Sequence, residues 1–293
     1  MPSLSFDMVD IRQTPQYAKY LRQIGWKVER IIEVNYFIKK LPLIGSVIKI
    51  QRPENIDIKR IQNLAKKYRA LQIIIEPKNA LGVDYLKNIG FRLSRSPYLP
   101  TKTLHLDLTQ VKEKLFSQLK KDVKYALRKT EELKLQQIKD VEKFRHAWKK
   151  AVGLKRHVPP RAHLKALKKT FGENSLFLAT KDYATGAIFL VGDKIALDKV
   201  TSSALDEVAS SAYYWQAFSS KEGRKSQAQY KILWEGILWT KTRGAKIFDF
   251  EGIYDSRFPN KSWHGFTHFK KSFGGHEVEY PGAFVKARLP WLS

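Results

Sequence analysis

The stretch "ILWTKTRGAKIFDFEG" (Ile237–Gly252) has a counterpart in "QNLAKKYRALQIIIEP" (Gln62–Pro77). Each passes from a helical segment with a basic end through an alanine into an apolar strand and a carboxylate, Glu251 in one and Glu76 in the other. Each then reaches a glycine exit, "YLKNIGF" (Tyr85–Phe91) in the first and "FKKSFGG" (Phe269–Gly275) in the second, which takes more residues to arrive. A repeated helix and strand unit of this kind predicts two related domains.

Working outward, helical periodicity covers about residues 15–24, 58–68, 111–133, 141–152, 162–170 and 227–242. Strand-like runs fall between them. They are "LQIIIEP" from Leu71, "TLHLDL" from Thr103, "SLFLATK" from Ser175, "GAIFLVGDKIALDKVTS" as a hairpin turning at Gly192 and Asp193, and "KIFDFEG" from Lys246. The alternation gives an α/β or mixed α+β chain.

With 293 residues and 43% apolar content, the chain can bury a large core. Fifty-four Lys and Arg against 28 Asp and Glu leave a formal charge of +26, which attracts nucleic acid, nucleotide diphosphates or an anionic membrane face. The absence of cysteine excludes disulfides, thiolate metal sites and Cys nucleophiles. His264 and His268 stand four apart, but Gly265 weakens the helix and no third ligand is evident, so no metal is expected. The G-x-S-x-G, Walker and G-x-G-x-x-G signatures are missing. "MPSLSFDMVDIRQ" lacks the basic-then-apolar run of a signal peptide, and "YFIKKLPLIGSVIKI" (Tyr36–Ile50) is broken by Lys39, Lys40 and Pro42. A cytoplasmic protein with no transmembrane segment is the expectation.

Further motifs make the repeat specific. In "QAFSSKEGRKSQAQYKILWEGILWTKTRGAKIFDFEGIYD" (Gln216–Asp255), the spacing of Ser219, Ser220, Arg224, Tyr230, Trp234 and Glu235 and the strand bearing Asp249 resemble the FemABX family, as does the Phe269–Lys270 pair. In the first half "RQTPQYAKYLRQIGW", "TLHLDL" and the basic stretch "LKKDVKYALRKTEE" are similar in order and kind. The resemblance implies two GNAT-like domains in tandem, domain 1 over 1–142 and domain 2 over 143–281. The strand "AFVKARL", within 282–293, would return to complete domain 1. It also implies transfer of an amino acid from aminoacyl-tRNA to the stem peptide of a UDP-linked or lipid-linked peptidoglycan precursor, by a monomer without a cofactor. The charge further admits peripheral contact with an anionic membrane. Two departures stand out. Lys124 and Ala126 replace the family's Arg-x-Asn in the basic helix, and no heptad stretch is long enough for the helical arm of some members.

The residues can be asked whether they agree. Amide formation from an ester needs chiefly a donor to the developing oxyanion. Successive helical residues point about 100° apart, so only one of Lys270 and Lys271 can follow Phe269 into a cleft, and the family's Phe-Lys pair selects Lys270. Asp249, Glu251 and Asp255 cluster in "FDFEGIYD", with Asp249 and Glu251 on one strand face; they could hold the acceptor's ammonium, or pair with structural Lys or Arg. Asp107 in "LHLDL" is a substrate-side candidate or a strand-end cap. Arg224 and Lys40 are the loop cations for a diphosphate, and Tyr230 follows the family pattern. Lys120, Lys121, Lys124 and Arg128, with Lys155 and Arg156 in a second basic run, form the candidate tRNA footprint. The rival readings are an acyl-CoA N-acyltransferase, whose pyrophosphate loop is not found in either half, and a basic RNA-binding module without catalysis.

Overall fold

The computed structural model describes residues 9–154, 156–192 and 210–288. A 3-10 turn (Ile11–Gln13) leads into α1 (Pro15–Gln23), β1 (Lys27–Ile31), β2 (Val34–Leu41) and β3 (Gly45–Gln51). There follow α2 (Ile58–Lys67), β4 (Ala70–Glu76), α3 (Val83–Asn88), β5 (Arg92–Leu93) and β6 (Lys102–Asp107). Next come α4 (Lys112–Ser117), α5 (Lys121–Lys129), β7 (Leu135–Gln137), α6 (Val141–Val152), α7 (Arg161–Phe171), β8 (Ser175–Thr180) and β9 (Thr185–Val191). The chain ends with β10 (Ser211–Ser219), α8 (Lys221–Lys225), α9 (Ala228–Thr242), β11 (Ile247–Asp249), α10 (His264–Lys271), β12 (His276–Glu279) and β13 (Phe284–Ala287).

Helix starts follow from capping chemistry. Thr14 accepts the Tyr17 N–H at 3.1 Å with Pro15 in the first turn of α1, and Asp57 and Asp140 cap α2 and α6 in the same way. The expected helix over 111–133 is in fact two, α4 and α5. Lys120 takes an extended backbone and donates its N–H to Ser272 O at 3.0 Å. That break lets Leu115, Leu119 and Val123 all enter one core. Strands β8 and β9 are buried on both faces, which hides them from a period-two search but leaves long apolar runs. The return strand expected beyond Gly192 and Asp193 lies outside the described residues; β9 pairs antiparallel with β10, whose "SAYYWQAFS" was not anticipated.

Two sheets result, ordered β1-β2-β3-β4-β13-β5 and β7-β8-β9-β10-β11-β6-β12. In each, a helix crosses over between two parallel strands, β3 to β4 through α2 and β10 to β11 through α9. The segments Gln62–Pro77 and Ile237–Gly252 are therefore the two crossovers. In each sheet the strand beside the crossover product comes from elsewhere in the chain: β13 lies between β4 and β5, and β6 lies between β11 and β12. Strands thus pass between the halves in both directions. Residues 102–137, which the expected boundary gives to the first domain, supply β6 and β7 to the seven-stranded sheet because β6 pairs with β11 and β12.

The core follows this layering. One face of the larger sheet packs Phe189 and Tyr214 against Ile232, Leu233 and Ile237 of α9; the other packs Ile188 and Tyr213 against Phe144 and Trp148 of α6 and Leu164 of α7. A third cluster fills the smaller sheet beneath α2. Gly236 sets the approach of α9, since a Cβ there would sit 2.1 Å from the Phe189 ring.

Candidate active site

The Phe-Lys pair sits in the last turn of α10, between β11 and β12. Phe273 is fully buried and Phe269 half-buried, whereas Phe266 is 36% exposed and packs beside Trp263 at 5.2 Å. The two lysines part as their helical angle requires. Lys270 is 7% exposed; Lys271 is exposed and pairs with Glu277. Gly274 and Gly275, both at φ +90°, then turn the chain back, and a Cβ on Gly275 would lie 2.7 Å from His105 O. The double glycine is what lets β12 close against β6 directly behind the buried lysine.

Lys270 Nζ donates to Gly252 O at 2.6 Å and to Glu251 O at 3.3 Å. Its rings are Phe266 at 5.0 Å and Tyr214 at 5.8 Å. An ammonium has three N–H groups, so one is left without an acceptor among the described residues. Burial pushes the Lys270 pKa down to about 8, against the opposing charges of Glu251 and Asp249.

The two carbonyls that hold Lys270 belong to a loop with its own anchors. β11 ends at Asp249, so Glu251 is not on its strand face as the two-residue period implied. Asp249 Oδ1 accepts the Glu251 N–H at 2.7 Å and bends the chain, leaving Glu251 at φ +56°. Asp249 also accepts from Thr103 and meets His105 Nε2 at 3.3 Å; these contacts outweigh burial and hold its carboxyl below the usual range. The Glu251 carboxylate turns away from the lysine to Arg12, which donates to both of its oxygens at 2.8 Å. Burial raises the Glu251 pKa against the pull of that guanidinium. Arg12 also pairs with Asp10 at 3.2 Å and lies 5.1 Å from the Trp215 ring. Asp255 is engaged by Arg257 and Thr101. All three carboxylates of "FDFEGIYD" therefore have internal partners. A small cleft lined by Asp10, Arg12, Arg52, Asp249, Glu251 and Tyr280 joins the two sheets here.

Of the other sequence candidates, Tyr230 joins the cluster: its ring meets Phe269 edge-on at 4.9 Å and stacks on Phe273 at 6.0 Å. Arg156 donates to Ala217 O and Gln216 Oε1, both at 2.9 Å, and its charge reaches Lys270. Lys155 lies outside the described residues. Arg224, on α8, donates to Ser219 O at 2.7 Å. Asp107 caps its own turn through Thr109 N at 2.9 Å and Oγ1 at 2.6 Å. Lys40 is exposed on β2. None of the latter three contacts the Lys270 cluster among the described residues. Lys120, Lys121 and Arg128 are exposed along α5, while Lys124 is half-buried and donates to Ser117 O at 2.9 Å. Arg12, Tyr214 and His105 were not anticipated. Arg12 and Glu251 are 239 residues apart, and a lone arginine in "DIRQ" carries no signal of its own. Among the described residues no group of three or more His, Asp or Glu is placed to hold a metal, and no helix is long and apolar enough to cross a membrane.

The FemAB family model matches residues 199–291, which include α9, β11, α10 and Lys270. FemX superposes with a TM-score of 0.73 at 14% identity, over 97% of this chain and 94% of that one. The family match thus covers about a third of the chain, and the likeness to FemX is one of fold. The fold is that of FemX over nearly the whole of both chains. The same fold is shared by the C-terminal domain of a putative lysylphosphatidylglycerol synthetase from Agrobacterium fabrum, with TM-score 0.60 and 10% identity over 95% and 89% of the two chains. It recurs in a conserved protein of unknown function from Bacteroides thetaiotaomicron, at 0.58 and 11% over 97% and 95%. No curated protein sequence matches. Among the described residues only one of the two repeats carries the buried lysine: at the corresponding place in α3, Leu86 is buried and Lys87 is exposed on Asp84.

Proposed function

We propose that the protein transfers an amino acid from aminoacyl-tRNA to the amine of a peptidoglycan-precursor stem peptide, forming an interpeptide branch. The observation that supports this reading most is Lys270: a buried ammonium, fixed by two carbonyls, with one N–H unspent. In the reaction the acceptor amine attacks the ester carbonyl, and the C–N bond forms as negative charge gathers on the carbonyl oxygen. The intermediate then collapses, the C–O bond to the tRNA ribose breaks, and the proton lost by the amine ends on the ribose hydroxyl. Lys270 serves the middle stage, as a preorganised donor in a site where weak solvent screening strengthens its charge. Phe269 and Tyr230 hold its helix turn against the core. Arg224 is the acceptor-diphosphate cation of this reading, and the exposed cations of α5 with Arg156 are its RNA-facing groups. The test is to incubate the protein with a mixture of charged tRNAs and either the soluble or the lipid-linked precursor, then weigh the products. An acceptor heavier by one amino-acid residue supports the reading; transfer only from an acyl-CoA, or none, overturns it.

Two predictions follow from these roles. Replacing Arg224 with Ala is expected to raise the acceptor KM by a charge-assisted contact's worth, about 1.5–3 kcal/mol, with stability little changed because the side chain is exposed. An unchanged KM in steady-state assays removes Arg224 from the site. The second concerns pH. A donor ammonium must stay protonated, so the single-turnover rate is expected to fall as pH rises through about 8, with a limb that Lys270→Ala lacks. A rate that rises through that window would make Lys270 a base instead. Folding is affected with the opposite sign: burying the charged form carries its full cost below about pH 8, and that cost disappears as pH climbs toward the ordinary lysine value.

A further inference from the structure

The turn between β2 and β3 is at odds with its own sequence. Ile44 N–H donates to Pro42 O at 2.9 Å and to Leu41 O at 3.3 Å, so Leu41, Pro42, Leu43 and Ile44 close a tight turn, with Leu43 in its third position at φ +66°. A proline followed by a left-handed third residue is the pattern of a type II turn, where that place goes to glycine or asparagine because a Cβ is strained there. Leucine accepts the strain and gains no contact in return. Leu43 is fully exposed and Ile44 is 55% exposed, beside an exposed Pro42. Cations surround this apolar tip. Lys40, exposed, stands opposite Ser46 in the strand register. Arg69, also exposed, accepts the Ser46 N–H at 3.1 Å with its carbonyl, which crowds Gly45 so closely that a Cβ there would lie 2.4 Å away. Neither cation has a carboxylate partner among the described residues.

We propose that this tip inserts into the interface of an anionic bilayer, Leu43 and Ile44 entering the acyl-chain boundary and Lys40 and Arg69 resting on lipid phosphates. Apolar side chains ringed by lysine and arginine form the composition that seats a protein in a membrane surface without spanning it. The net charge of +26 supplies long-range attraction to such a surface, but attraction alone gives no use to an exposed leucine held in a glycine conformation. A second copy of the chain is a poor occupant, because a twofold contact would set the same unpaired cations against one another. Geometry allows the docking. The tip immediately precedes β3, and Arg52, which lines the cleft, follows the strand's last residue, about eight residues or roughly 25 Å from Ile44 along the chain. The inference holds whichever group the protein transfers.

The test is sedimentation of the full chain with vesicles of phosphatidylglycerol mixed with phosphatidylcholine, and with phosphatidylcholine alone. The parent is expected to bind the anionic vesicles. The double variant Leu43→Gly with Ile44→Ser should bind them about tenfold or more weakly, with thermal stability equal or higher because glycine fits the turn. Lys40→Ala with Arg69→Ala should weaken binding and flatten its salt dependence. Equal anionic binding by the parent and the tip variant would reduce the contact to surface charge and overturn the proposal, as would no vesicle binding at all. Self-association in analytical ultracentrifugation that the tip variant abolishes would assign the tip to a second copy instead.

Discussion

Lys270→Ala is expected to lower the single-turnover rate of transfer by roughly 10²–10³-fold with acceptor affinity nearly intact, the loss typical when one preorganised oxyanion donor is removed. Lys271→Ala, whose side chain sits outside on Glu277, should stay within a few-fold of the parent. The contrast between neighbours carries the test. Both substitutions remove one positive charge from the same helical turn, so a diffuse phosphate-binding patch would lose similarly at either position. Only a donor fixed by the Glu251 and Gly252 carbonyls separates them. Phe269→Ala should also lose activity, because the lysine's helix turn leans on that ring and on Tyr230. It must be compared at matched folded fraction, since truncating a half-buried aromatic packed on the core also costs stability. No loss at Lys270 would leave this turn a structural element.

Arg12→Met is expected to have the largest effect on stability, about 3–5 kcal/mol in equilibrium urea unfolding. Arg12 is 5% exposed and serves Asp10 and Glu251 together, so its removal strands two largely buried carboxylates rather than one surface charge. Two controls distinguish this from lost packing. Adding Glu251→Gln should recover much of the loss by removing one stranded charge. The deficit should also shrink as pH falls, because burial already raises the Glu251 pKa and a carboxyl without its cation takes up a proton more readily still. A deficit that neither control changes would assign Arg12 to packing against Trp215 alone. The 3-10 turn that carries Arg12 also ties the two sheets together: Asn35 of β2 donates to Arg12 O and Thr14 O, and Ile11 N–H donates to the Tyr213 hydroxyl of β10. Loss of the pair should therefore loosen the Lys270 loop and the junction of the halves together.

Local rules acting over a few residues made part of this legible in advance. Periodicity marks α1, α2, α6 and α9; apolar runs mark β4, β6, β8, β9 and β11; and the 100° step of a helix separates Lys270 from Lys271. The repeat in the two helix and strand segments corresponded to two parallel crossovers, because the apolar pattern of such a unit depends on neighbours within one turn or one strand. Other features had no such local cause. Strands β1 to β3 escaped notice because Lys39 and Lys40 stand at the half-exposed end of β2, where sheet pairing rather than pattern makes the strand. The single basic helix became α4 and α5 because the carbonyl that takes the Lys120 N–H belongs to Ser272, far along the chain. The exchange of β6 and β13 between the sheets, the pairing of Arg12 with Glu251, and the turning of three suspected substrate carboxylates onto internal partners all depend on which distant segments become adjacent. The sequence by itself determined which groups can be buried and with what periodicity; only the tertiary structure decided which charge each buried charge meets, because the chain must close on itself before two residues 239 apart can neutralise one another.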